Sequence, residues 1–152
     1  MNDKKKAPLF VYFVEGIPGY NNDDPTKCTS VKSIVEGNFK RVKTLPKQCI
    51  ILDVTADTLL SQDDLKYAKN GVCIIDGPWY VMPEVILKIG DGHIKRKLPP
   101  AIACNPHHKG ATMISSVEAM ALALHILGYT DQAEHILKPF SWAKDFFKTL
   151  KL

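Results

Sequence analysis

No two cysteines in this chain stand at the spacing of a metal site. Cys28, Cys49, Cys73 and Cys104 are widely scattered, and none pairs with a histidine in a zinc-like pattern. Structural zinc and cysteine-held clusters are therefore not expected. The adjacent His107 and His108 have no third ligand at a recognisable spacing, so no metal is assigned. There is no glycine-rich dinucleotide loop, no Walker loop, no Gly-x-Ser-x-Gly elbow and no His-Glu-x-x-His; the enzyme classes that depend on them are set aside. No apolar run approaches the ~20 residues of a membrane-spanning helix. The start is charged and lacks an apolar stretch, so neither a signal peptide nor membrane attachment is expected, and the cytoplasm is the expected compartment.

What remains is an ordinary globular composition. The 152 residues are 45% hydrophobic and 24% charged, enough for one compact unit or two small lobes sharing a core. A chain of this size buries roughly two thirds of its extended surface and needs no staples. Cys49, Cys73 and Cys104 each lie in an apolar run and read as buried free thiols. The net charge of +4 permits RNA binding without requiring it. Its distribution is more telling. Basic residues cluster at Lys4–Lys6, at Lys40-Arg41 with Lys43 and Lys47, and at Lys95-Arg96-Lys97. The first cluster reads as a solvated start; for the last, a solvated surface and a polyanion-binding surface are both open.

Taken in order, Leu9–Val14 reads as a buried strand, and the segment 16–24 as a long turn. A helix follows from about Ser30 to Glu36, ended by Gly37. Residues 40–47 read as a basic connector. Cys49–Val54 is nearly all apolar, as in a parallel strand covered on both faces. Ser61 caps a helix that Asn70-Gly71 stops. Val72–Ile75 is a third strand, delivering Asp76 at its carboxyl end. A helix from about Glu84 to Lys88, a turn at Gly90–Gly92 and a fourth strand at Pro99–Cys104 are expected next. Ser115–Leu127 is a helix ended by Gly128; others run from Thr130 to about Lys138 and from about Ser141 to Leu150. The order implies an α/β fold with a mostly parallel sheet and a helical C-terminal part. A division into lobes falls at the 90–92 turn, giving 1–92 and 93–152. Ligands in such sheets sit beyond the carboxyl ends of strands, where Asp53, Asp76 and Asn105 fall.

Residues 96–119 organise the rest. A basic cluster leads through Leu98-Pro99-Pro100 and Ala101–Cys104 to an Asn105-Pro106 break, a loop containing Gly110, and Ser115-Ser116-Val117-Glu118 at a helix start. Ser115 and Glu118 have the spacing of a capping box. The helix N-terminus offers amides and a dipole to a small anionic group. Asp76-Gly77-Pro78-Trp79 follows a buried strand. An acid so held can bind a ligand or act as a base; the plain alternative is a capping aspartate and a core tryptophan.

These stretches, with Asp24-Pro25-Thr26-Lys27-Cys28-Thr29 upstream and Ala133-Glu134 and Phe140-Ser141-Trp142 downstream, together resemble the Tsr3 family of rRNA aminocarboxypropyltransferases. The resemblance implies a SPOUT-like fold with a trefoil knot near the C-terminus. It implies S-adenosylmethionine (SAM) as donor and small-subunit rRNA, or the pre-ribosomal subunit carrying it, as partner. It puts the Asp76-Gly77-Pro78-Trp79 motif in the SAM cleft; since the attacking uridine N3 must lose a proton, Asp76 is the candidate catalytic base. The resemblance lines the SAM site with Thr29, Leu52, Val54, Ile75, Trp79, Leu98, Ile114, Ser115, Ser116 and Ala119. Trp79 would attract the sulfonium through its ring, and Thr29 would meet the ribose. Lys27, Lys32, Lys95, Arg96 and Lys97 become the RNA-binding candidates. The competing readings are a knotted SAM-dependent RNA methyltransferase and a non-catalytic RNA-binding assembly factor. A monomer is expected, because no long apolar helix face is left over once the core is filled.

Overall fold

Five short strands, all parallel, form one sheet in the order β2-β1-β4-β3-β5. They are β1 (Leu9–Phe13), β2 (Lys40–Val42), β3 (Ile50–Leu52), β4 (Val72–Asp76) and β5 (Ile94–Arg96). The helices are α1 (Thr29–Val35), α2 (Leu65–Ala68), α3 (Ser116–Leu127) and α4 (Thr130–Leu137). These elements come from a computed structural model whose described residues are 6–14, 28–77, 93–101, 104 and 114–149.

The apolar patterning explains the layers. Leu9, Val11 and Phe13 alternate to one face of β1, as period-two side chains must. Ile50, Val72 and Ile74 join them, and α3 closes that face with Val117, Met120, Ala121 and Leu124, all fully buried. The opposite face carries a smaller cluster of Cys49, Ile51, Cys73 and Ile75, with Phe10 and Tyr12 packed against it. β4 is central and buried on both faces, hence its unbroken apolar run Val72–Ile75. Gly71 must be glycine to start it: its φ is +109°, and a Cβ there would run into the Phe10 ring. α4 is fastened to the start of β1 by Gln132, whose buried amide both accepts from the Ala7 N–H and donates to its C=O, each at 2.9 Å.

Most expected elements are present, with the Ser61 cap accepting from Asp63 N at 3.2 Å and Gly128 ending α3 in a left-handed conformation. Four differ. Residues 40–42 are a strand, not a connector. A strand of Lys-Arg-Val at a sheet edge buries little, so its composition reads as loop; the charges suit an unpaired edge. The fourth strand is Ile94–Arg96, not Pro99–Cys104. Pro99 and Pro100 have no N–H to give a ladder, and of the expected span Pro99–Ala101 and Cys104 lie outside any strand. The helix after Ser61 is a 3-10 turn, Gln62–Asp64, leading into the short α2. The last helix is replaced by 3-10 turns at Ser141–Ala143 and Phe146–Thr149. There, aromatic packing outweighs helix propensity: Phe146 is fully buried, Phe140 meets Trp142 at 5.4 Å, and Phe147 stacks on His125 at 5.0 Å between centroids.

All four cysteines are free. Cys49 and Cys73 are buried, but Cys104 is only half-buried, as is Cys28. The helix expected near 84–88 and the turn at 90–92 lie outside the described residues. After residue 92, β5 pairs with β3 in the same sheet. Among the described residues no helix is long and apolar enough to cross a membrane.

Candidate functional site

The polar residues gather at the carboxyl end of β4. Asp76 is in register with Phe13 of β1, so its side chain projects on the face that α3 covers. There the Ser116 hydroxyl, in the first turn of α3, donates to Asp76 Oδ2 at 3.1 Å. The Cys28 thiol, just before α1, donates to the same oxygen at 3.8 Å. The Val117 amide donates to Thr29 Oγ1 at 3.1 Å. Three elements distant in sequence, the starts of α1 and α3 and the end of β4, thus meet through hydrogen bonds.

Glu118 holds this corner from behind. Its carboxylate is fully buried and takes three donors: Ser115 N at 3.0 Å, Ser115 Oγ at 2.8 Å and Cys104 N at 2.6 Å. The first belongs to the expected capping box. The third ties the 97–104 segment to the helix. The Cys28 thiol is pushed up from 9.0 to about 11, first by burial and then by the neighbouring negative charge of Asp76. It is a protonated donor at neutral pH.

The helix N-terminus is less open to an anion than its spacing suggests. The Val117 amide is given to Thr29 and the Ser115 amide to Glu118, whose own charge sits in the first turn. Ser115 is buried and turned to Glu118; Ser116 is half-buried and turned to Asp76. Thr29 accepts one bond and can still donate its O–H.

The apolar candidates separate into groups. Leu52, Leu98, Ile114 and Ala119 are half-buried around the main core, on the Asp76 side of the sheet. Ile75 points the other way, into the cluster with Cys49 and Cys73. Val54 is 85% exposed just past β3. Asp53 is buried and spent locally, accepting from Thr55 N at 2.8 Å and Thr55 Oγ1 at 2.7 Å. Trp79, Lys27, Asn105, His107 and His108 lie outside the described residues.

Two basic candidates serve the fold. Lys32 donates to the Pro139 carbonyl at 3.0 Å and lies 5.0 Å from the Phe140 ring centroid. Arg96 pairs with the buried Asp64 at 3.0 Å and donates to Lys95 O at 2.9 Å. Lys95 and Lys97 flank it on the β5 edge, half-exposed. Cys28 was not among the expected site residues. Its adjacency to Thr29 is the signal, but a thiol donor to Asp76 needs the fold to be seen. Among the described residues no cluster of three or more His, Cys, Asp or Glu could hold a metal.

An open parallel α/β sheet with polar side chains converging at the carboxyl end of its central strand is a ligand-binding α/β protein. Residues 50–151 match the family described as ribosome biogenesis protein, C-terminal. The 16S rRNA aminocarboxypropyltransferase of Vulcanisaeta distributa is 39% identical over 130 residues, 82% of this chain and 70% of that one. The enzyme of the same name from Thermoplasma volcanium is 40% identical over 129 residues, 83% and 77% of the two chains. The solved structure of the SAM-dependent rRNA:acp-transferase Tsr3 from V. distributa superposes with a TM-score of 0.82 at 34% identity, covering 93% of this chain and 77% of that one. The chain belongs to the Tsr3 family of rRNA aminocarboxypropyltransferases.

Proposed function

We propose that this protein transfers the 3-amino-3-carboxypropyl group of SAM to N3 of a uridine or pseudouridine in small-subunit rRNA during ribosome biogenesis, releasing 5′-methylthioadenosine. Family membership supports the reaction. The observation in this chain that carries it is the Asp76 carboxylate, held at the end of β4 by the Ser116 hydroxyl. The residues fit the donor in kind: the Thr29 and Ser116 hydroxyls for its ribose and amino-acid part, and Leu52, Leu98, Ile114 and Ala119 for its adenine.

When bound, SAM supplies a sulfonium that activates three carbons, and its orientation decides which one reacts. The chain's task is to present the aminocarboxypropyl carbon and to take the N3 proton. Asp76 is the acceptor for that proton, a general base worth roughly 10²–10⁴ in rate. Trp79, Ile75, Val54 and Ser115 stay in the proposal as further members of the cofactor wall. Ile75 and Val54 would act through backbone, since neither side chain joins the Asp76 cluster.

The SPOUT-like trefoil knot belongs to this proposal, with 1–92 and 93–152 as the two lobes. An experimental structure whose 93–152 segment pulls straight when its ends are drawn apart would remove the knot. So does a monomer working in the cytoplasm; a concentration-dependent rise in light-scattering mass would refute the monomer. The reaction is tested with small-subunit rRNA and SAM labelled either in the carboxyl or in the methyl group. Carboxyl label alone should enter the RNA. Methyl label alone would make the protein a methyltransferase and the orientation wrong.

A further inference from the structure

Two cations expected to meet RNA, Lys32 and Arg96, are occupied inside the molecule. The exposed ones lie elsewhere. Lys40, Arg41, Lys43 and Lys47 all sit at the surface on and just after β2. From residue 37 to residue 48 there is no acid. Among the described residues Lys40, Lys43 and Lys47 make no ion pair. Like charges held together repel, and a polyanion relieves that cost.

The position of this cluster matters as much as its sign. β2 is the edge strand beside β1, and β1 pairs with β4. Arg41 is in register with Val11, and Phe13, two residues on, is in register with Asp76. The Arg41 guanidinium lies 4.8 Å from the Phe13 ring centroid. Its charge is therefore carried to the carboxyl end of β1, on the Asp76 side of the sheet; Lys40, in register with Phe10, starts on the opposite face, and Lys47 precedes β3 at the amino end, so the cluster wraps around the β2 edge. Two strand spacings separate β2 from β4, roughly 10 Å.

We propose that the β2 edge, through Lys40, Lys43 and Lys47 with Arg41, is a docking surface for the phosphate backbone of the substrate rRNA, holding the strand whose base reaches Asp76. This deepens the rRNA reading above and rests on it. Backbone contacts position without reading sequence, so the surface sets affinity and register, not the choice of nucleotide. It leaves the β5 edge, with Lys95 and Lys97, to flank the same site from the other side of the sheet.

The test is the triple reversal K40E/K43E/K47E, with in vitro transcribed small-subunit rRNA as probe and anisotropy read across a salt series. The side chains are exposed, so the fold should survive, and unchanged SAM binding reports it; K40Q/K43Q/K47Q is the gentler version. RNA affinity should fall at least about tenfold near ~0.1 M salt, and the log–log salt slope should shrink by about two to three for three lost contacts. The control K66E/K69E/K144E makes the same charge change elsewhere and should cost much less. Equal losses in test and control would overturn the proposal, since net charge would then suffice. So would wild-type affinity and slope in the triple variant, provided wild type binds this RNA and transfers carboxyl label to it. Wild-type protein that binds no small-subunit rRNA would overturn both this proposal and the function beneath it.

Discussion

Ser116 and Asp76, forty positions apart, share a 3.1 Å hydrogen bond between the first turn of α3 and the end of β4. The bond fixes a carboxylate oxygen at the mouth of the sheet. Two of its donors, Ser116 Oγ and Cys28 Sγ, are neutral, so neither of these removes the charge that proton transfer needs.

Asp76→Asn keeps the shape and the acceptor oxygen but loses the basic charge. It should bind SAM as wild type does and transfer about 10²–10⁴-fold more slowly. Single-turnover transfer beside calorimetric SAM titration separates the two. Wild-type turnover would take Asp76 out of the proton's path.

Glu118 is the residue on which the corner most depends. Removing its side chain in Glu118→Ala leaves the buried amide of Ser115 and the half-buried amide of Cys104 without their acceptor. Each such group costs roughly 1–3 kcal/mol, so urea unfolding should show a loss of about 2–5 kcal/mol. Glu118→Gln keeps one acceptor oxygen and turns an NH₂ toward a donor, so it should fall between the two. A loss below about 0.5 kcal/mol for Glu118→Ala, the range of ordinary surface changes, would show that the carboxylate does not hold the corner.

Thr29→Val removes the oxygen that accepts the Val117 amide while keeping the volume. The cost should be roughly 1–3 kcal/mol, with faster hydrogen exchange at Val117, and Thr29→Ser should restore both. Protection at Val117 unchanged in the valine variant would mean that another group satisfies the amide.

How far the residues alone foretell this site depends on range. The capping box was legible because Ser115 and Glu118 are three apart, and β4 because Val72–Ile75 is apolar without a break. The link from Glu118 to Cys104 was not, since no periodicity encodes a side chain reaching a backbone amide across a loop. Strands β2 and β5 were hidden because edge strands bury little and carry charges, which read as connector. The bonds of Lys32 and Arg96 were hidden for a related reason: a surface cation and one bonded to a distant carbonyl or carboxylate look the same in sequence. The basic run at 40–47 was visible throughout, but that it begins on an edge strand two places from the strand of Asp76 follows only from the strand order.

The Cys28 thiol gives a pH dependence with a definite sign. Its folded pKa, about 11, lies above the ordinary 9.0. Between those values the unfolded chain loses the thiol proton while the folded protein keeps it. The unfolded state then binds fewer protons, and stability falls as pH rises. Below 9.0 the thiol is protonated in both states and contributes no slope. Cys28→Ser cannot ionise in this range, so the difference in unfolding free energy between wild type and variant should move in the variant's favour from about 9 to about 11. Other alkaline titrations are common to both proteins and cancel. Urea midpoints measured under reductant across that window give the difference directly. A constant difference would mean that Cys28 titrates alike in both states, and that neither its burial nor the Asp76 charge acts on it as the geometry requires.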